Sequence, residues 1–227
     1  MKRSEIDRLI DEAIDMLKAH HYMLPPFAFW QPEEWAAKGS EYDEIRDNML
    51  GWDLTDFGSG NFYQEGLFLF TVRNGNLNMP QYTKPYAEKV LIVRENQITP
   101  FHFHWKKMED IIVRGGGNLL VQLYNRTEDE KLNEIDDVTV MVDGVRKTLK
   151  AGGILRLTPG ESVTLPQGMY HSFWAENDTG AALVGEVSMT NDDNIDNRFL
   201  KQQGRFPTIE EDAPKRHLLC IDYHSAG

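Results

Sequence analysis

The chain contains 227 residues, 41% of them hydrophobic and 26% charged, and its 24 basic and 36 acidic residues give a formal net charge of −12. Eleven Phe, eight Tyr and five Trp provide more large apolar surface than a disordered chain carries. The acidity argues against nucleic acid and anionic membranes, which both need clustered basic residues, and favours a single domain with a neutral or cationic ligand.

Cysteine usage and the amino-terminal sequence predict a location in the cytoplasm. Cys220 is the single cysteine, so no intrachain disulfide can form and a reducing compartment is the default. Acidic residues interrupt the apolar residues that follow the start, which is unlike a signal peptide. Because no uncharged apolar run approaches roughly 20 residues, no membrane helix is expected. The sequence therefore predicts a soluble, cytoplasmic protein.

Residues 1–60 are predicted to form a helical cover. Ser4 and Asp7 resemble a capping box, and the apolar residues that follow repeat at helical spacing. A shorter helix is predicted to begin at Pro32, and residues 40–48 to add another turn or two. The apolar residues of the first predicted helix are Ile6, Leu9, Ile10, Ala13, Ile14 and Leu17.

Residues 61–190 are predicted to form a β-barrel, because short β-like runs alternate with turns and no helices intervene. Asp143-Gly144 is the clearest hairpin signal. Residues 191–227, which are polar and contain prolines, are assigned to a carboxy-terminal extension of the same domain. The predicted strands cover 67–72, 88–94, 98–103, 110–114, 119–124, 138–142, 145–149, 154–157, 162–165, 171–175 and 181–188.

His102 and His104, followed by Glu109, form the strongest chemical signal in the chain. Residues two apart in a strand face the same side, so both histidines can point into a barrel. Imidazole and carboxylate are suitable ligands for Mn, Fe, Zn or Ni. A His-x-His pair alone usually means two unrelated histidines, but a Pro-x-Gly turn that leads into His171 adds a third patterned histidine. Together these residues favour a metal site.

The two stretches resemble the paired motifs of the cupin superfamily, Gly-x5-His-x-His-x4-Glu-x6-Gly and Gly-x5-Pro-x-Gly-x2-His-x3-Asn. Asn96 replaces the first glycine of one motif and Ala175 replaces the asparagine of the other, and neither is a ligand position. The matching residues are His102, His104, Glu109 and Gly116 in the first motif and Gly160, Pro166, Gly168 and His171 in the second. The resemblance implies an all-β cupin jelly-roll barrel after the helical segment. It also implies a metal site with positions open for substrate oxygens, whose ligands are His102, His104, Glu109 and His171.

More narrowly, most of the chain resembles the cupin-type D-lyxose isomerases, in which a helical segment precedes the barrel. This resemblance implies dependence on Mn²⁺, with other divalent metals possible, and a homodimer. It also implies interconversion of the aldose D-lyxose with the ketose D-xylulose and of D-mannose with D-fructose. The similar stretches are 25–30, 52–58, 101–104, 107–110, 185–188 and 191–194.

Aldose–ketose isomerisation moves one proton between C1 and C2 and another between O1 and O2, so it needs a base beside the metal. Glu186 is the candidate base, if it faces inward on its strand rather than into solvent. Lys89 or Asp193 would assist at the sugar oxygens, although most lysines are simply exposed. Further candidates for contacting the sugar are Arg198, Trp52, Phe57 and Trp174, with surface exposure or core packing as the ordinary alternatives.

The leading hypothesis is a metal-dependent sugar isomerase that transfers the proton through an enediol at the metal. An Fe(II)-dependent cupin dioxygenase could use the same four ligands, and a non-catalytic sugar-binding cupin could keep the barrel without turnover. A phosphosugar isomerase would need a cationic cluster, which Arg198, Lys201 and Arg205 could form against the negative overall charge.

Overall fold

Three α-helices lie in the part of the chain that the computed structural model describes, residues 1–192, 195–201, 204 and 207–223. They are α1 (Arg3–Ala19), α2 (Pro32–Ala36) and α3 (Asp43–Asp47), and 3₁₀ turns cover Pro26–Phe29, Ser40–Tyr42 and Cys220–Asp222. None of these described helices is both long and apolar enough to cross a membrane.

The strands of the described chain pair antiparallel in two sheets. They are β1 (Gly51–Thr55), β2 (Leu67–Arg73), β3 (Tyr86–Val93), β4 (Thr99–Phe103), β5 (Glu109–Gly116), β6 (Leu119–Arg126), β7 (Leu132–Asn133), β8 (Val138–Val142), β9 (Val145–Leu149), β10 (Ile154–Leu157), β11 (Ser162–Leu165), β12 (Tyr170–Ala175), β13 (Ala182–Met189) and β14 (Arg198–Phe199). The larger sheet has the order β1-β2-β3-β13-β5-β11-β8-β9; the smaller has β10-β6-β12-β4-β14, with β7 beside β6. The predicted all-β class after a helical segment is confirmed.

An apolar core fills the space between the two sheets. Along β5 and β8 buried and more exposed residues alternate, as expected for strands with one face against a core. The two sheets enclose this core as a curled barrel, and polar side chains gather in one region of its interior. The core includes Leu69, Leu91, Val93, Ile111, Val113, Leu119, Val121, Leu123, Val140, Leu155, Val163, Phe173 and Val184.

Helix α1 covers the outer face of the larger sheet and forms a second core with β1, β2 and β3. Both faces of these strands are therefore buried, and β1 is buried along its whole length. A strand covered on both sides needs no alternation of apolar and polar residues. For this reason the sequence did not reveal β1, which lies inside the segment 1–60 that was predicted to be helical. The second core includes Ile6, Leu9, Ile10, Ala13, Leu17, Trp52, Leu54, Phe68, Phe70, Val90 and Ile92.

The predicted capping box at the start of α1 is wrong. The helix begins at Arg3, so Ser4 lies in its first turn, and the capping residue Lys2 makes no side-chain cap. Instead the Ser4 backbone N–H and hydroxyl donate to the carboxylate of Asp212, at 2.9 and 2.7 Å. The first turn is thus capped by a residue from the carboxy-terminal extension.

Arg3 joins the same helix to the extension through buried ion pairs. Its side chain is 1% exposed, and it donates to Glu211 Oε2 at 2.8 Å and to Asp222 Oδ2 at 3.1 Å. Burial opposes the charge on Arg3, but Glu211 and Asp222 raise its pKa above the ordinary value. A buried guanidinium of this kind is stable only while its acidic partners are present.

Replacing Arg3 with Ala is expected to lower the free energy of unfolding by about 3 kcal/mol, because it leaves Asp222 buried beside fewer positive charges. Urea unfolding followed by circular dichroism would measure this. The control is Lys131→Ala, whose 76% exposed side chain pairs with Asp129 at the surface and should contribute little to stability because water screens the pair. Equal losses in the two variants would contradict the role assigned to Arg3.

Candidate metal centre and active site

The four predicted ligands meet inside the barrel. His102 lies on β4, His104 follows the end of that strand, Glu109 begins β5 and His171 lies on β12. One ring nitrogen from each of the three histidines lies within 4.8 Å of the others. Oε1 of Glu109 lies 3.4 Å from His104 Nε2 and 3.2 Å from His171 Nε2. All four side chains are buried, so the arrangement could hold a metal ion.

Each of the three histidines is oriented by a backbone carbonyl. A carbonyl oxygen can only accept, so the Nδ1 atom that faces it carries the proton and donates. A neutral ring then presents Nε2 as the free ligand atom, which is how carbonyl partners prepare histidines to bind metals. The three pairs are His102 with Pro100 at 2.8 Å, His104 with Asp196 at 3.0 Å and His171 with Met169 at 3.0 Å.

The donor set fits a divalent cation. Burial lowers the pKa of His102 well below its usual range, and His171 and His104 lower it further, so this ring is neutral. Among the described residues His171 Nε2 is buried without a hydrogen-bond partner, although Glu109 Oε1 lies 3.2 Å away. Two acceptors at that distance repel unless a cation lies between them. Imidazole nitrogens with one carboxylate are suitable ligands for Mn, Fe, Zn and similar ions.

Two lysines and a second glutamate lie beside these ligands. Register places Lys89 on β3 opposite Glu186 on β13, and both side chains line the same cavity as the histidines. Lys107 is 2% exposed and bridges Glu109 Oε2 at 2.7 Å and Glu186 Oε1 at 2.8 Å. Lys89 Nζ lies 3.5 Å from Glu186 Oε1. For both residues the sequence left exposure to solvent as the alternative, and both side chains lie buried inside the barrel.

Lys107 is a site residue that sequence reasoning missed. It belongs to the turn between His104 and β5, and the sequence analysis placed it in a stretch similar to the isomerase family without giving it a role. Burial alone would raise the pKa of Glu109, but the charge of Lys107 holds it well below its ordinary value. The available signal was its position two residues before Glu109, since alternation near the start of a strand places such residues on one side.

Asp196 is a second missed residue, and it fixes the turn that carries Lys107. Its carboxylate accepts the backbone N–H groups of Lys106 and Lys107, both at 2.9 Å, and its carbonyl accepts from His104 Nδ1. Asp196 is buried. About ninety residues separate it from its partners, so no local pattern could have indicated the contact.

The ligand cluster opens into a cavity of about 60 Å³ whose walls combine charged and apolar side chains. The apolar part includes Phe57, one of the predicted sugar contacts, and Phe199, whose ring stacks on His102 with centroids 5.3 Å apart. Lys89 also lines a neighbouring polar cavity of about 210 Å³, which contains Asp53, Thr71, Asn74 and Asn191.

The other predicted sugar contacts do not line the cavity of the ligand cluster. Trp52 packs against α1 and its surroundings, and its Nε1 donates to the carbonyl of Ala28 at 2.8 Å. Trp174 lines a groove on the outer face of β12, because its neighbour Phe173 faces inward. Arg198 donates to Glu130 Oε2 at 3.1 Å, while the adjacent Phe199 lines the cavity. Asp193 and Arg205 lie outside the described residues.

Comparison with known sequences identifies close relatives. The family described as D-lyxose isomerase matches residues 1–223. The chain is 49% identical to a D-lyxose/D-mannose isomerase of Escherichia coli O157:H7 over 224 residues, covering 98% of each chain. It is 48% identical, over the same coverage, to the enzyme of that name from Serratia proteamaculans. A D-lyxose ketol-isomerase of Cohnella laeviribosi is 29% identical over 77% of this chain and 99% of its own.

Two solved L-ribose isomerases have a fold similar to that of this chain. The L-ribose isomerase of Cellulomonas parahominis without ligand has a TM-score of 0.60 at 16% identity, covering 92% of this chain and 98% of its own. The L-ribose isomerase of Geodermatophilus obscurus has a TM-score of 0.59 at 16% identity, covering 91% and 98%. Both are cupin-fold proteins, so the likeness confirms the predicted cupin barrel.

Replacing His171 with Ala is expected to weaken Mn²⁺ binding by at least roughly 100-fold, because the substitution removes a ligand atom. The rise in Tm that Mn²⁺ should produce in the wild type would shrink accordingly. Isothermal titration calorimetry and differential scanning fluorimetry measure the two effects. The control is His21→Asn, since His21 is exposed and has a positive φ that Asn tolerates. Equal Mn²⁺ affinities in the two variants would count against the site.

Proposed function

The chain belongs to the D-lyxose isomerase family, and we propose that it interconverts D-lyxose with D-xylulose and D-mannose with D-fructose at a bound divalent metal, Mn²⁺ for preference. Family membership makes it a sugar isomerase. The observation that carries the proposal is that His102, His104 and Glu109 line one cavity with three neighbouring charged groups, Lys107, Glu186 and Lys89.

The metal would be held by His102, His104, Glu109 and His171, and when bound it supplies a Lewis acid that polarises the sugar carbonyl. Glu186 lies beside this cluster and is the base of the proposal. Its carboxylate takes the proton from C2 of the open-chain aldose and delivers it to C1, and the proton of the C2 hydroxyl passes to O1, which completes the conversion to the ketose. Both lysines approach Oε1 of this glutamate, so the proposal assigns the proton transfer to Oε2.

In this proposal the two lysines, Lys89 and Lys107, stabilise the negative charge that develops on the sugar oxygens. Taken in their charged forms, Lys89 and Lys107 balance Glu109 and Glu186, so the protein side of the cavity is close to neutral. An enediolate then meets two ammonium groups that are already in place and excluded from water, where charge stabilisation is strongest. Asp193, which was expected to assist at the oxygens, stays a prediction.

The relatives favour isomerisation over the two alternatives that the ligand pattern left open, Fe(II)-dependent oxygenation and sugar binding without turnover. Each curated relative reported above is named as an isomerase. The homodimer and the cytoplasmic location stay predictions. Sedimentation analysis and cell fractionation would test them.

Replacing Glu186 with Gln is expected to lower kcat by roughly 10²- to 10⁴-fold, because the amide cannot accept the C2 proton. Conversion of D-lyxose in deuterium oxide, followed by NMR, reports both ketose formation and solvent label at C1 and C2. Glu88→Gln is the matched control, since Glu88 lies beside Lys89 in sequence but bonds to Arg73 and Tyr22 away from the cavity. Near-normal turnover and labelling in Glu186→Gln would remove this residue from the mechanism.

Replacing Lys107 with Met is expected to lower kcat by about 100-fold, because the substitution removes the cation beside Glu186. Mn²⁺ binding should weaken less than in His171→Ala, because all four proposed ligands are retained and only the cation beside Glu109 is lost. Lys89→Met should have a smaller effect, since Lys89 approaches Glu186 at 3.5 Å rather than 2.8 Å. Lys106→Met is the control, because Lys106 is adjacent and exposed. Steady-state kinetics would contradict this assignment if the Lys106 and Lys107 variants behaved alike.

A further inference from the structure

A change of register in β4 turns Thr99 toward the histidine cluster. His102 pairs with His171 of β12, and Thr99 pairs with Phe173, so three steps along β4 match two steps along β12. The extra residue interrupts the alternation of faces. As a result Thr99 and His102, although three residues apart, both line the cavity of the ligand cluster.

The backbone around Thr99 is fixed by two further contacts. The carbonyl of Pro100, inside the irregular stretch, accepts the Nδ1 proton of His102 at 2.8 Å. The carbonyl of Thr99 accepts the hydroxyl of Ser172 at 2.7 Å. These two contacts fix the backbone at Thr99. Neither contact involves the Thr99 hydroxyl.

The hydroxyl of Thr99 has no hydrogen-bond partner among the described residues, although the residue is only 2% exposed. Buried hydroxyl groups are normally paired, because an unpaired one lowers the stability of the fold. The cavity wall beside it includes the apolar side chains of Leu67, Phe173 and Phe199, which cannot supply a partner. Because Thr99 lines the cavity, an occupant of the cavity can supply the missing partner.

We infer that the Thr99 hydroxyl is a sugar-binding group, which hydrogen-bonds a hydroxyl of the open-chain substrate while Glu186 carries out the proton transfer. The inference rests on the proposed function, because it takes a polyhydroxylated substrate as the occupant of the cavity. A sugar hydroxyl both donates and accepts, so it can pair with a threonine hydroxyl in either sense. Thr99 then contributes to substrate affinity and leaves the chemistry to the charged groups.

The test is Thr99→Val, which keeps the shape of the side chain and removes the hydroxyl. KM for D-lyxose is expected to rise about tenfold, as the loss of one hydrogen bond to the substrate implies, with a smaller change in kcat. Mn²⁺ affinity should stay as in the wild type. Tm of the substrate-free protein should stay the same or rise, because an unpaired buried hydroxyl has been removed.

Thr99→Ser keeps the hydroxyl and should retain a KM close to that of the wild type. Thr164→Val is the isosteric control, because Thr164 lies on β11 and does not line the cavity. A KM for Thr99→Val within twofold of the wild type would overturn the inference. A lower Tm for Thr99→Val, or a KM for Thr99→Ser as high as that of Thr99→Val, would overturn it as well.

Wild-type activity tests the proposed function, and the KM of Thr99→Val tests the role of Thr99. A wild-type protein that isomerises neither D-lyxose nor D-mannose would contradict the proposed function, whereas an active wild type with an unchanged KM in Thr99→Val contradicts the role of Thr99 alone. Calorimetric titration of the Mn²⁺-loaded protein with the alditol of D-lyxose, which cannot be isomerised, compares the affinities of the same variants without turnover.

Discussion

The ammonium group of Lys107 makes this interior possible, because it lies between two carboxylates that are buried in an otherwise apolar barrel. A buried carboxylate without a partner would take up a proton or destabilise the fold. Lys107 approaches Glu109 and Glu186 within 2.8 Å, and Lys89 adds a second positive charge near Glu186. The same contacts that permit burial therefore hold one carboxylate among the histidines and the other opposite Lys89.

The position of Lys107 depends in turn on the carboxy-terminal extension. Asp196 accepts the two backbone N–H groups of the Lys106–Lys107 turn and, through its carbonyl, orients His104. The extension also returns to α1, where Asp212 caps the first turn and Glu211 and Asp222 hold Arg3. The carboxy-terminal extension thus stabilises both the ligand cluster and helix α1. A substitution that disrupts the extension should therefore affect both.

The parts of the site that sequence could predict are those that follow the two-residue period of a strand. His102 and His104 share a face for this reason, and Glu186 shares a face with the core residues Ala182 and Val184. Trp174 and Arg198 were selected by side-chain type, but the period assigns the inward positions to their neighbours Phe173 and Phe199. Trp52 lies on a strand covered on both faces, where alternation carries no information. Contacts across ninety residues, such as that of Asp196, leave no local signal.

The register change in β4 puts Thr99 on the same side of the strand as His102, which a regular strand would not do. In an unbroken β4 a residue three positions from His102 would face outward. The register change at Pro100 reverses this, and proline suits such a position because it has no N–H to leave unpaired in the ladder. The carbonyl that the irregularity releases is then used to orient His102. A single inserted residue therefore orients His102 and brings Thr99, whose hydroxyl is unpaired, to the wall of the same cavity. A strand with unbroken alternation could not do both.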